Sequence, residues 1–147
     1  MKTRIISLIL LVLCATFILS ACTMIKEPDD LLADLKAKNY DVFLYSRSDT
    51  EKFKSMTNLI NLEDSEGIVN ILIAEGGKDK ATAKPLIIYF CSSKEATDKV
   101  FDAAKASLAD IAKFTSMASE TDCNLQKTDN CVIMGHAEMI KIAKVGS

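Results

Sequence analysis

Thiols and one imidazole are the side chains most able to do chemistry here, because the 147-residue chain has five cysteines and a single histidine. Cys123 and Cys131 lie in one polar stretch, where a disulfide would close a short loop. Two reduced thiols, one buried and one exposed, are the alternative. His136 extends the spacing to C-x7-C-x4-H, which does not match the close cysteine pairs of structural zinc sites. We therefore expect no metal site, and we leave both states of the cysteine pair open.

Cys91 is a candidate nucleophile. It precedes the start of a predicted helix, whose dipole would lower the pKa of the thiol. No second catalytic group can be placed beside it from the sequence, and a small buried core cysteine is the simpler interpretation. We predict no catalytic residue and no cofactor, and the balance is against an enzyme.

The two other cysteines belong to the N-terminal apolar segment. Lys2 and Arg4 form a basic start, residues 5–19 are an uncharged apolar run, and small residues then precede Cys22. A helix of this run would span about 22 Å, whereas a helix that crosses a membrane usually needs ~20 residues, which span about 30 Å. These features are typical of a secretory signal peptide.

The four residues that end this segment, Leu19-Ser20-Ala21-Cys22, resemble the lipobox of bacterial lipoprotein precursors. In that family the cysteine thiol receives a diacylglyceryl group, the preceding peptide bond is cut, and the cysteine becomes the first residue. The resemblance implies cleavage between Ala21 and Cys22, lipidation of Cys22, and a lipid-anchored protein on the cell membrane or outer membrane, facing outside the cytoplasm. A retained signal anchor is the alternative.

The resemblance also divides the chain. Residues 1–21 would be the signal peptide, residues 22–27 the lipidated cysteine and a short tether, and residues 28–147 one α+β domain. Loss of Lys2 and Arg4 moves the formal net charge from −2 to −4. A mildly acidic domain has no evident attraction to nucleic acid, so the expected partner is the membrane, through the N-terminal lipid.

Capping residues predict where the helices of the domain begin and end. Pro28 and Asn39 are expected to begin and end a first helix. Ser48-Asp49-Thr50-Glu51 and Ser92-Ser93-Lys94-Glu95 match the capping box, and we expect them to begin two further helices, the second running to about Ser116. The polar stretch that holds Cys123 and Cys131 is expected to be a loop.

Apolar periodicity and these capping residues together predict the elements of the domain. After a first helix, the predicted order is strand, helix, strand, strand, helix, strand, followed by a closing helix. This split βαββαβ order resembles the ferredoxin-like fold over residues 40–134. It implies an antiparallel sheet with the two middle helices on one face and additional helices at the two ends of the domain.

Alternation along the strands predicts that both faces of the sheet are apolar. We expect Val42, Leu44 and Ile88 to lie on the face that meets the two middle helices. The opposite face would carry Leu72 and Ile133 together with the candidate interface residues Phe43, Tyr45, Ile87 and Tyr89. The terminal helices could cover that second face, through Leu31, Leu32, Leu35, Met139, Ile140 and Ala143. Otherwise it is an interface for a protein partner or a second copy, since tyrosine is common at interfaces.

Taken together, the sequence predicts an exported, membrane-surface lipoprotein that works by binding or scaffolding. One alternative is a thiol or redox protein, or a small enzyme, that uses Cys91 or the pair Cys123 and Cys131. Another is a solute- or peptide-binding module.

Overall fold

The computed structural model describes residues 24–76, 84–115 and 123–146. The helices are α1 (Pro28–Ala37), α2 (Thr50–Leu59), α3 (Lys94–Ala106), α4 (Leu108–Phe114) and α5 (Ala137–Ala143). The strands are β1 (Asp41–Ser46), β2 (Ile68–Gly76), β3 (Lys84–Cys91), β4 (Asn124–Lys127) and β5 (Cys131–Gly135).

All five strands form one antiparallel sheet in the order β1-β2-β3-β5-β4. The predicted α+β class and the antiparallel sheet are confirmed. The ferredoxin-like order is not, because β1 pairs directly with β2, from Asp41↔Glu75 to Ser46↔Asn70. In a split βαβ unit another strand separates these two.

One strand was absent from the sequence prediction. β4 has the sequence NLQK, and three of its four side chains are exposed. Such a strand carries no apolar alternation, and only its pairing with β5 defines it. The polar stretch predicted as a loop therefore contains the edge strand beside β5.

Helices cover both faces of the sheet. We call the face under α2, α3 and α4 the three-helix face, and the face under α1 and α5 the terminal-helix face. The core of the three-helix face includes Phe53, Met56, Ile71, Ile87, Tyr89, Val100, Ile111, Val132 and Met134. The core of the terminal-helix face includes Leu31, Leu35, Val42, Leu72, Leu86, Ile88, Phe90, Ile133, Met139, Ile140 and Ala143.

The predicted assignment of β1 and β3 to these faces was wrong. Ile87 and Tyr89 lie on the three-helix face, whereas Val42 and Ile88 lie on the terminal-helix face. The cause lies in β3, which is buried from Pro85 to Cys91 and so is apolar on both sides. Alternation separates side chains into two sets, but in such a strand it does not say which set meets which helices.

Local interactions fix where the helices begin and end. Asn39, predicted to end α1, has φ 61°, a left-handed conformation that asparagine tolerates. The Ser93 hydroxyl accepts a hydrogen bond from the Ala96 N–H at 3.1 Å and caps α3. The predicted long helix is divided in two at Ser107, a buried residue whose hydroxyl oxygen lies 3.2 Å from Nδ2 of Asn61.

Candidate functional site

The predicted anchor, Ala21 and Cys22, lies outside the described residues, and the structure begins two residues later at Met24. From there the chain runs antiparallel to the C-terminal segment. Ile25 forms a β-bridge with Lys144, and the Lys26 N–H donates to the Ala143 carbonyl at 3.0 Å. The chain is therefore attached to the folded body by Ile25, before the predicted end of the tether at residue 27.

Lys26 strengthens this attachment through its side chain. Its ammonium group donates to the Ile142 carbonyl at 3.0 Å and lies 3.0 Å from Oδ2 of Asp34. The Lys26 side chain is only 21% exposed, whereas that of Asp34 is 49% exposed, so the ammonium group is the better shielded partner. One residue thus joins the N-terminal segment to α1 and to α5.

Two exposed apolar side chains lie beside this attachment. The Val145 N–H donates to the Met24 carbonyl at 2.9 Å, which places these two residues next to each other. Met24 is 66% exposed and Val145 is 58% exposed. Sequence reasoning missed both residues, because the pairing of the two chain ends is a tertiary contact that no local pattern indicates.

The structure does not bring Cys123 and Cys131 together, and both are free thiols. The β4–β5 hairpin pairs Asn124 with Gly135 and Lys127 with Val132. Cys123 therefore lies at the open end of the hairpin and Cys131 at its turn, roughly 15 Å apart along the strands, whereas bridged cysteines have Cα atoms within about 7 Å. The two thiols also pack on opposite faces of the sheet.

The described thiols are also weakly acidic. Burial raises the pKa of Cys91 to about 11, which opposes the lowering expected from the neighbouring helix. Burial likewise raises the pKa of Cys123 and of Cys131. Because the thiolate is the reactive form, none of the three is prepared for nucleophilic chemistry at neutral pH.

His136 caps a helix. It precedes α5, and its Nδ1 accepts a hydrogen bond from the Glu138 N–H at 3.3 Å. Across residues 24–76, 84–115 and 123–146, no three His, Cys, Asp or Glu side chains are grouped as metal ligands would be.

The four predicted interface residues divide into two pairs. Ile87 and Tyr89 are buried, and the Tyr89 hydroxyl donates to the Met56 carbonyl at 2.7 Å. Phe43 and Tyr45 remain partly exposed to solvent. The Phe43 side chain is 55% exposed, and the two rings stack with their centroids 6.2 Å apart. They lie on β1, which among the described residues is an edge strand.

In one cleft on the described surface, the guanidinium group already has structural partners. This cleft, of about 310 Å³, lies between α2 and the loop that follows it, and includes Arg47 and Ser65. The Arg47 guanidinium donates to the Ser65 carbonyl at 2.6 Å, to the Ile68 carbonyl at 3.0 Å and to the Glu66 carbonyl. These bonds hold the loop in place and leave the guanidinium little capacity to bind a solute.

No protein-family model, curated protein or solved structure matches this chain. Within the described parts of the chain, no helix is both long enough and apolar enough to cross a membrane.

Proposed function

We propose that the protein is a lipid-anchored bacterial lipoprotein that works by binding or scaffolding at the outer side of a membrane. The observation that carries this proposal is Leu19-Ser20-Ala21-Cys22 at the end of an uncharged apolar run with a basic start. Residues 1–21 are removed, and two or three acyl chains on Cys22, as the family implies, hold the protein on the cell membrane or outer membrane. One chain alone would give only marginal binding.

A binding role is favoured over thiol chemistry by the environment of the cysteines. The three described thiols are buried, and burial raises the pKa of each. A redox pair needs two sulfur atoms within bonding reach, and the β4–β5 hairpin holds Cys123 and Cys131 apart.

Metabolic labelling with an alkyne fatty acid tests the lipid anchor. When the full precursor is expressed in bacteria, the wild-type chain incorporates the label and loses its leader, and Cys22→Ser does neither. Cys14→Ser is the matched control, because Cys14 lies inside the leader, and this variant is labelled like the wild type. Equal labelling of Cys22→Ser, or an unlabelled wild type, would show that the proposal is wrong.

For the binding role, the favoured surface is the edge of β1 that no described strand pairs with, and a second copy of this chain is the partner that its residues fit. Antiparallel pairing of two β1 strands about Leu44 would place Phe43 of each copy opposite Tyr45 of the other. Both aromatic side chains are on the same face of the strand and are already stacked within one chain. A two-fold contact of this kind uses the same surface on both copies.

Sedimentation of the acylated protein in density-matched detergent tests this pairing. We expect the wild type to be larger than one chain and Phe43→Lys to sediment as one chain, because a lysine there opposes association of the aromatic surfaces. Val69→Lys is the control, since Val69 is 46% exposed on β2, away from the β1 edge. A monomeric wild type, or the same loss in both variants, would contradict the second-copy interface.

A further inference from the structure

We propose that Met24 and Val145, which we call the terminal patch, rest on the lipid surface and give the anchored domain a fixed orientation. This inference depends on the proposed lipid anchor, because it starts from acylation at Cys22. It adds which surface of the domain faces the membrane.

The first argument is the length of chain between the anchor and the folded body. Ile25 is bridged to Lys144, and Lys26 is hydrogen-bonded to Ala143. Because the Met24 carbonyl is also hydrogen-bonded to Val145, only residues 22–23 are left as tether, and two extended residues reach about 7 Å. The body therefore cannot move far from the bilayer or turn freely above it, and the surface nearest to Ile25 is the surface nearest to the lipid.

The second argument is the character of that nearest surface. Met24 and Val145 are the two most exposed large hydrophobic side chains among the described residues, at 66% and 58%. Their backbones are joined by a hydrogen bond of 2.9 Å, so the two side chains leave the body at the same place. Contact with the lipid surface would remove both from water, which is favourable for apolar groups.

The fold also identifies the surface that faces away. α1 starts four residues after Met24 and is ten residues long, so it extends about 15 Å toward Asp41. Asp41 pairs with Glu75 at the same end of the sheet. Asp41 and Glu75 are both exposed, and this end of the sheet is separated from the terminal patch by the length of α1.

The charged groups that line the groove beside the patch favour a neutral lipid surface. The groove beside it, of about 490 Å³, is lined by Lys26 and by three acidic residues: Glu27, Asp30 and Asp34. Lys26 is paired with Asp34 at 3.0 Å, so the remaining acids would be repelled by anionic headgroups. The contact therefore relies on the anchor and the two apolar side chains, with zwitterionic headgroups as the opposing surface.

Spin labelling of the acylated protein in phosphatidylcholine vesicles tests the orientation. A nitroxide is attached to Val145→Cys and, as the matched control, to Glu75→Cys. The native thiols are buried or acylated, and wild-type protein treated in parallel measures any labelling of them. We expect the Val145 label to collide several-fold less with a water-soluble nickel chelate than the Glu75 label does, and more with oxygen. Met24→Cys gives a second position with the same expectation.

Two different failures can be told apart. Equal nickel accessibility at both positions, in protein whose mass includes acyl chains, would overturn the terminal patch and leave the anchor intact. Protein without acyl mass would overturn the anchor and the orientation with it.

Discussion

At the residue scale, burial determines the chemistry of the cysteines. Cys91 lies at the end of β3, a strand with residues packed on both faces of the sheet, and its sulfur atom lies 3.8 Å from the Tyr89 carbonyl. A thiol in such surroundings is kept in its neutral form, because the charged form would lose its hydration. Cys91 is therefore expected to contribute to packing, and its place before α3 does not make it a nucleophile.

We predict that Cys91 resists alkylation in the folded protein. With a pKa of about 11, roughly one molecule in a thousand carries the thiolate at pH 8, against about one in ten for an ordinary thiol of pKa 9.0. Treatment with a water-soluble maleimide at pH 8, followed by peptide mass analysis, should leave Cys91 unmodified until denaturant is added. Rapid modification of Cys91 in the folded state would support the thiol-enzyme alternative.

The same shift predicts how stability depends on pH. Since folding raises the pKa from 9.0 to about 11, the neutral thiol stabilises the folded state fully below pH 9, and this contribution is lost as the pH rises through about 11. The free energy of unfolding, measured with denaturant, should therefore fall over this interval. The free energy of unfolding of Cys91→Ala should fall less steeply with pH than that of the wild type. Equal slopes in the two proteins would contradict the raised pKa of Cys91.

At the element scale, both predicted capping boxes lie one residue too early in the chain. The pattern Ser-x-x-Glu predicts Ser48 and Ser92 as the caps of α2 and α3, but the structure places the caps at Asp49 and Ser93. In the structure α2 begins after Asp49, and the Asp49 carboxylate instead accepts a hydrogen bond from the Ser46 N–H at 2.8 Å. Ser48 and Ser46 share a hydrogen bond between their hydroxyl groups.

We predict that Ser93→Ala lowers the free energy of unfolding by about 1 kcal/mol, because it removes the hydrogen bond that caps α3. Ser48→Ala is the matched control, and its exposed side chain should contribute less than about 0.5 kcal/mol. Chemical denaturation of both variants beside the wild type measures the difference. Equal losses would contradict the cap assignments.

The sequence predicts elements better than it predicts their partners. Local signals placed the helix at Pro28 and its end near Asn39 correctly, since both residues act through their own backbone geometry. The polar β4 carries no apolar alternation and is defined only by its pairing with β5, and the break at Ser107 coincides with a hydrogen bond to the distant Asn61. The assignment of β3 to the two faces failed because this strand is apolar on both sides.

At the scale of the whole molecule, the two ends of the described chain meet. Residues 24–26 and 143–145 are bonded to each other, and α1 and α5 together cover the terminal-helix face. The attachment of the N-terminal segment is therefore part of the packed body. The resemblance of Leu19-Ser20-Ala21-Cys22 to a lipobox comes from the sequence alone, whereas the shortness of the proposed tether and the terminal patch required the fold.

The most direct test of the lipid anchor is the mass of the N-terminal peptide of the protein isolated from its native membrane. Our account predicts a chain that begins at Cys22 and carries the added mass of a diacylglyceryl group. A peptide that still contains residues before Cys22, or one that begins at Cys22 without any acyl mass, would contradict it.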